Sequence, residues 1–68
     1  MSKTEIEVEF ADEKPSIIIW NDGRKFGIKK ILYECEDNNL CKRYTVLVGK
    51  NEERYLYVTS KGNYIDTV

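Results

Sequence analysis

Glu5-Ile6-Glu7-Val8-Glu9-Phe10 alternates carboxylate and apolar side chains without a break. A period of two is one that only an extended strand converts into a wet face and a dry face. The same rhythm, carried by β-branched and aromatic residues, recurs along the chain, with turn clusters roughly every 8 to 12 residues and no helical periodicity. The expected fold is therefore all-β: a six-stranded antiparallel meander curled into a small, partly open SH3-like barrel. With 68 residues the chain reads as a single small β domain, 1–68. A chain of this size buries only about 60% of its unfolded surface. A pocket of several hundred cubic ångströms would hollow out its core, which favours surface binding over enclosed chemistry.

Turn chemistry supplies expected registers. Asp22-Gly23 between apolar runs is a strong signal for a two-residue hairpin. It would set Asn21 against Arg24, Ile19 against Phe26 and Ile17 against Ile28, with Ile18 facing Gly27 and Trp20 covering the missing side chain. Lys29-Lys30 interrupts the alternation, so a bulge is expected near residue 29. A turn at Asn38-Asn39 would pair Tyr33 with Tyr44 and Ile31 with Val46, and would point Cys35 and Cys41 to opposite faces. Gly49 to Glu53 forms a third turn. A fourth at Lys61-Gly62 would pair Val58 with Ile65 and Thr59 with Tyr64, leaving Leu56, Val58 and Ile65 on an aliphatic face and Tyr55, Tyr57 and Tyr64 on the opposite one. Phe10 and Phe26 are expected in the core.

Charge and chemistry narrow the function. Eleven Lys and Arg against twelve Asp and Glu give a net charge of −1, so no whole-molecule field points to nucleic acid or to an acidic membrane. Locally, Lys3 against Glu5, Glu7, Glu9, Asp12 and Glu13 makes the first strand acidic, while residues 14–33 carry five cations against Asp22. Such an arrangement suits neighbouring strands of opposite charge. Histidine is absent, which removes the commonest general base and metal ligand and every Ser-His or Cys-His pair. Cys35-x5-Cys41 fills only half of a tetrahedral zinc site. No catalytic residue, metal or cofactor is expected, and the chain reads as a non-enzyme. The start, Met1-Ser2-Lys3-Thr4-Glu5, carries no apolar signal stretch, and no aliphatic and aromatic run is longer than Ile17 to Trp20. Reduced thiols, no membrane contact and a cytoplasmic location are the expectation.

Aromatic residues are numerous for so short a chain. Trp20, Tyr55, Tyr57 and Tyr64 are the candidate partner-binding residues, because tyrosine and tryptophan give large contact area at low entropic cost. Basic residues interleaved with aromatics also describe a single-stranded nucleic-acid platform. Its candidates are Arg24, Lys25, Lys30 and Arg43, opposed by a sequence pI of about 5.4.

Pro15 to Leu32, read as P-x-I-x-I-W-x-D-G-R-x-F-x-I-x-x-I-L, together with Arg43-Tyr44-Thr45 and Arg54-Tyr55-Leu56-Tyr57, resembles a group of short Firmicutes proteins built on a W-x-D-G-R-x-[FY]-x-I core. The resemblance covers about residues 15 to 58. It departs in the loop Glu36 to Lys42, which is longer and glycine-rich in the group, and near Tyr64, where the group carries tryptophan. It implies a bacterial protein and brings no assigned activity. Nothing in the sequence names a function. The leading expectation is a protein- or peptide-binding module, with self-association through an exposed edge strand as one form of it. The alternative is a single-stranded nucleic-acid-binding small barrel.

Overall fold

A computed structural model describes residues 3–38 and 41–67. Six strands follow one another: β1 Thr4–Ala11, β2 Lys14–Ile19, β3 Lys25–Asn38, β4 Cys41–Val48, β5 Glu52–Thr59 and β6 Gly62–Thr67. All pairings are antiparallel, and β6 returns to β1 through Thr4↔Ile65 and Ile6↔Asn63, closing the barrel. The result is a small β-barrel consistent with the SH3-like type. It is closed rather than partly open, although β3 from Ile28 onward pairs with β4 alone among the described residues, so one stretch of strand edge stays unpaired.

Two strands serve two sheets. β1 pairs with β6 over Thr4–Ile6 and with β2 over Glu7–Ala11. β3 pairs with β2 over Lys25–Gly27 and with β4 from Ile28 onward. β3 can bend across because its register slips between Ile28 and Lys30, between Ile31 and Tyr33, and between Glu36 and Asn38; bulges of this kind curve a strand and raise its twist. The first slip falls where the Lys29-Lys30 interruption predicts it. Ile18, from the three-stranded side, packs in one cluster with Ile6, Tyr44, Val46, Leu56 and Ile65 from the five-stranded side. Val8, Trp20, Ile28, Ile31, Val48 and Val58 pack around it, half-buried.

The Asp22-Gly23 hairpin is shifted by one residue from its expected register. Ile18 faces Phe26, Ile17 faces Gly27 and Ile19 faces Lys25. Trp20 donates its amide to the Arg24 carbonyl at 2.8 Å, and Gly23 donates to the Trp20 carbonyl at 2.9 Å, so the loop is Asn21-Asp22-Gly23 with Gly23 at φ +93°. This is the three-residue form, a turn closed by a left-handed glycine. Asp22 Oδ1 supports it by accepting from the Arg24 amide at 3.0 Å. A one-residue shift exchanges faces. Ile18, 1% exposed, is the core residue, while Ile17 and Ile19 lie half-buried on the outer face. Gly27 has nothing within 4 Å of where a Cβ would lie, so Trp20 does not cover it. Phe10 (48% exposed) and Phe26 (38%) sit at the margins of the core rather than in it.

Two further registers differ. Ile31 faces Val46 as expected, but the slip after it sets Tyr33 against Thr45 and Glu34 against Tyr44. Tyr33 therefore turns outward and Tyr44 is buried. Cys35 then faces Arg43, two residues from Cys41, which places both half-buried thiols on one face of the sheet instead of opposite faces. The expected turn at Asn38-Asn39 falls partly outside the described residues. In the last hairpin Leu56 faces Ile65, Tyr57 faces Tyr64, Val58 faces Asn63 and Thr59 faces Gly62. The loop is thus Ser60-Lys61, held by the Thr59 hydroxyl, which donates to the Gly62 carbonyl at 2.6 Å and accepts from the Lys61 amide at 3.1 Å. The displacement is two residues, so the aliphatic and tyrosine faces come out as expected.

Asp12 and Glu13, at φ 53° and 67°, form the two-residue turn with both centres left-handed. Glu13 is the costly position, since left-handed backbone costs an L-residue about 1–2 kcal/mol. Glu13→Gly removes that strain against about 0.4–1 kcal/mol of added unfolded-chain entropy. A net stabilisation of about 0.5–1 kcal/mol is expected, read as a higher urea midpoint at unchanged slope.

Candidate interaction surfaces

Strict alternation along β5 and β6 buries Leu56 and Ile65 and directs Tyr55, Tyr57 and Tyr64 outward, each half-buried. Pairing lines these rings up across strands. Cys35, Arg43, Tyr57, Tyr64 and Glu5 form one row from β3 to β1. Tyr33, Thr45, Tyr55 and Asp66 form the adjacent row. Among the described residues Tyr33 is the most open of the large apolar side chains, at 62% exposure. Tyr55 and Tyr57 meet edge to face at 6.4 Å. Arg43 lies 5.4 Å from the Tyr55 ring centre and Lys3 Nζ 4.2 Å from that of Tyr57, within cation–π range. At the end of this face Gly62, at φ +142°, makes room for its neighbours: a Cβ there would lie 3.3 Å from Glu5 Oε2 and 3.5 Å from the Tyr64 hydroxyl.

Trp20 belongs to a different surface. It shares the inward face of β2 with Ile18, is half-buried, and meets Phe26 edge to face at 6.2 Å and 87°. The two rings open onto a pocket of about 190 Å³ at the end of the barrel. The four expected partner-binding residues therefore divide, with the three tyrosines on the outer face of the five-stranded sheet and Trp20 at the barrel end. Tyr33, absent from the sequence-based candidates, joins the tyrosines. Its placement depends on the second slip in β3, which no sequence signal marks.

The basic candidates do not converge. Arg24 Nε pairs with Asp22 Oδ2 at 2.7 Å in the β2–β3 loop. The Arg24 amide is the main reason the Asp22 carboxyl titrates below the usual carboxylate range. Lys25 reaches Glu9 at 3.6 Å, across the half-buried Ile17 and Ile19 stripe. Lys30 faces Leu47 beside the bulge. Arg43 stands among the tyrosines, and Lys30 lies on the same outer face, one row beyond Tyr33 and Tyr55. Elsewhere Glu34 takes Lys14 at 2.7 Å and Lys42 at 3.4 Å. The hydrogen bond with Lys14 depresses the Glu34 carboxyl and raises the Lys14 ammonium.

Among the described residues no group of three or more Cys, Asp or Glu side chains is arranged to hold a metal ion. No helix is long and apolar enough to cross a membrane. Fold and surface together define a small closed antiparallel barrel with one tyrosine-rich outer face and one aromatic end pocket. No protein-family model, curated protein or solved structure matches the chain.

Proposed function

We propose that this domain is a non-enzymatic interaction module of the cytoplasm that binds a protein or peptide through the outer face of β3–β6. The supporting observation is the pair of adjacent rows that gathers Tyr33, Tyr55, Tyr57 and Tyr64 around Arg43. Tyrosine and arginine are the residue types that dominate interface energetics, because rigid rings and a stackable guanidinium bury much area for little lost freedom. The net charge of −1 and the separation of Arg24 and Lys25 from this face weigh against single-stranded nucleic acid, whose phosphates call for a basic excess around the stacking rings. Two half-buried thiols suit a reducing compartment.

The test is photo-crosslinking in the native host with p-benzoylphenylalanine in place of Tyr33, and in place of Glu7 on the outer face of β1 as control. A nuclease-resistant protein adduct at position 33 and none at 7 is expected. Adding Arg43→Glu is expected to reduce that adduct about tenfold or more, as loss of a hot-spot residue does. Equal labelling at both positions defeats the reading, and a nuclease-sensitive adduct transfers it to nucleic acid.

A further inference from the structure

The pocket at the barrel end is walled by Ile18, Trp20, Phe26, Val48 and Ile65, with Glu52 and Arg54 at its rim. We propose that it is a second binding site, which takes one uncharged, ring-sized apolar side chain of a peptide partner.

Size sets the class of occupant. A volume of about 190 Å³ is close to the roughly 150 Å³ apolar cavity that accommodates a benzene ring. It falls short of the roughly 300–1,000 Å³ of sites that enclose cofactors and larger ligands. The walls set its polarity. Trp20 and Phe26 stand at 87° to one another, so a third ring seated in the corner they form can stack on one and meet the other edge-on, both arrangements that aromatic groups favour.

Charge sets the sign. Arg54 pairs with Glu52 at 3.3 Å and donates to the Glu53 carbonyl at 2.7 Å. A charged occupant would have to compete with that pair, whereas a neutral one leaves it intact. The open mouth decides between a free hydrocarbon and a side chain. Phe26 remains 38% exposed and Gly49 contributes no side chain to the rim. An occupant therefore keeps one edge toward water and toward the Glu52–Arg54 pair. A peptide places its amides there, where a guanidinium can donate and a carboxylate can accept. A free hydrocarbon leaves that edge wet.

This inference rests on the reading of the domain as a peptide-binding module but uses a different surface. Residues of β2–β6 on the inward side, with Trp20 just beyond β2, make the pocket, and outward-facing residues of β3–β6 make the tyrosine rows.

The chain has a single tryptophan, so Trp20 emission reports occupancy directly. The full chain is titrated with N-acetyl-L-phenylalaninamide, N-acetyl-L-alaninamide, N-acetyl-L-argininamide and toluene. Saturable change with the phenylalanine amide at about millimolar concentration is expected for so few contacting atoms. Several-fold weaker binding of toluene is expected, and none of the alanine or arginine amides. Amide resonances of Ile18 and Gly49 should shift, and those of Tyr55, Tyr57 and Tyr64 should not. Val48→Phe, which fills the pocket from its wall, should weaken binding at least tenfold; the resonance map carries the test alone if that variant does not fold. No saturable change up to the solubility limit overturns the proposal, as do toluene binding at least as tightly as the amide and shifts centred on the tyrosine rows. The two readings fail separately, because Val48→Phe should leave crosslinking at position 33 intact and Arg43→Glu should leave the titration intact.

Discussion

Leu56→Ala is expected to unfold most of the protein at 25 °C. Leu56 is fully buried, in a cluster with Ile18 and Val46 that joins the two sides of the barrel. Truncating such a leucine costs about 2–5 kcal/mol, from lost transfer energy and from the cavity left behind. A core in a chain this short rarely supplies more than about 3–5 kcal/mol in total. Loss and total are of one size, so the variant should show little or no cooperative urea transition, where the parent shows one. Tyr33→Ala is the control. That side chain is 62% exposed, so its removal should change stability by no more than about 0.5 kcal/mol. Were Leu56→Ala as stable as Tyr33→Ala, the packing described for the barrel interior would be wrong.

Gly23→Val carries the second large effect, expected at about 2–3 kcal/mol, and it acts through the backbone alone. The residue sits at φ +93°, yet a Cβ there would meet nothing within 4 Å. No clash contributes, so the cost is that of holding a β-branched residue in a region such residues avoid. Asn21→Pro separates the three-residue loop from a two-residue one. Asn21 is the first central residue of the turn closed by the Gly23 amide and the Trp20 carbonyl, a position that favours proline. In a two-residue loop centred on Asp22-Gly23, Asn21 would instead be a paired strand residue, where proline loses a ladder hydrogen bond. Circular dichroism and urea melts should find Asn21→Pro folded with near-parental stability and Gly23→Val destabilised. Equal, large losses in both would favour the two-residue loop.

Both turns show where local chemistry stops deciding. Asp-Gly suits two hairpin loops that differ by one residue, and the strand leading into it, Ser16-Ile17-Ile18-Ile19-Trp20, is apolar on both parities. Nothing local says which isoleucine is dry. β1 decides it: Val8 faces Ile18, so the dry face of the first strand claims Ile18, while Glu7 and Glu9 face Ile19 and Ile17. Asp12-Glu13, by contrast, carries no glycine, yet it makes the turn with two left-handed residues, because the strands on either side impose it.

The candidate surface divides in the same way. Tyr55, Tyr57 and Tyr64 were legible as outward-facing because β5 and β6 alternate cleanly, and an error of two residues in their pairing leaves every side chain on its own face. Tyr33 and Tyr44 were not legible, because a bulge at Leu32 changes parity midway along β3 and no residue there announces it.

The amino-acid sequence by itself determined the fold class, the number of strands, the bend near Lys29 and the faces of β1, β5 and β6, all of which follow from a period of two interrupted by turn residues. Closure of the barrel, the identity of the dry isoleucine, the separation of Trp20 from the tyrosines and the arrival of Tyr33 beside them were decided only in the tertiary structure. Each depends on which strand lies opposite, and a strand's partner is a non-local fact that a single-residue slip can reverse.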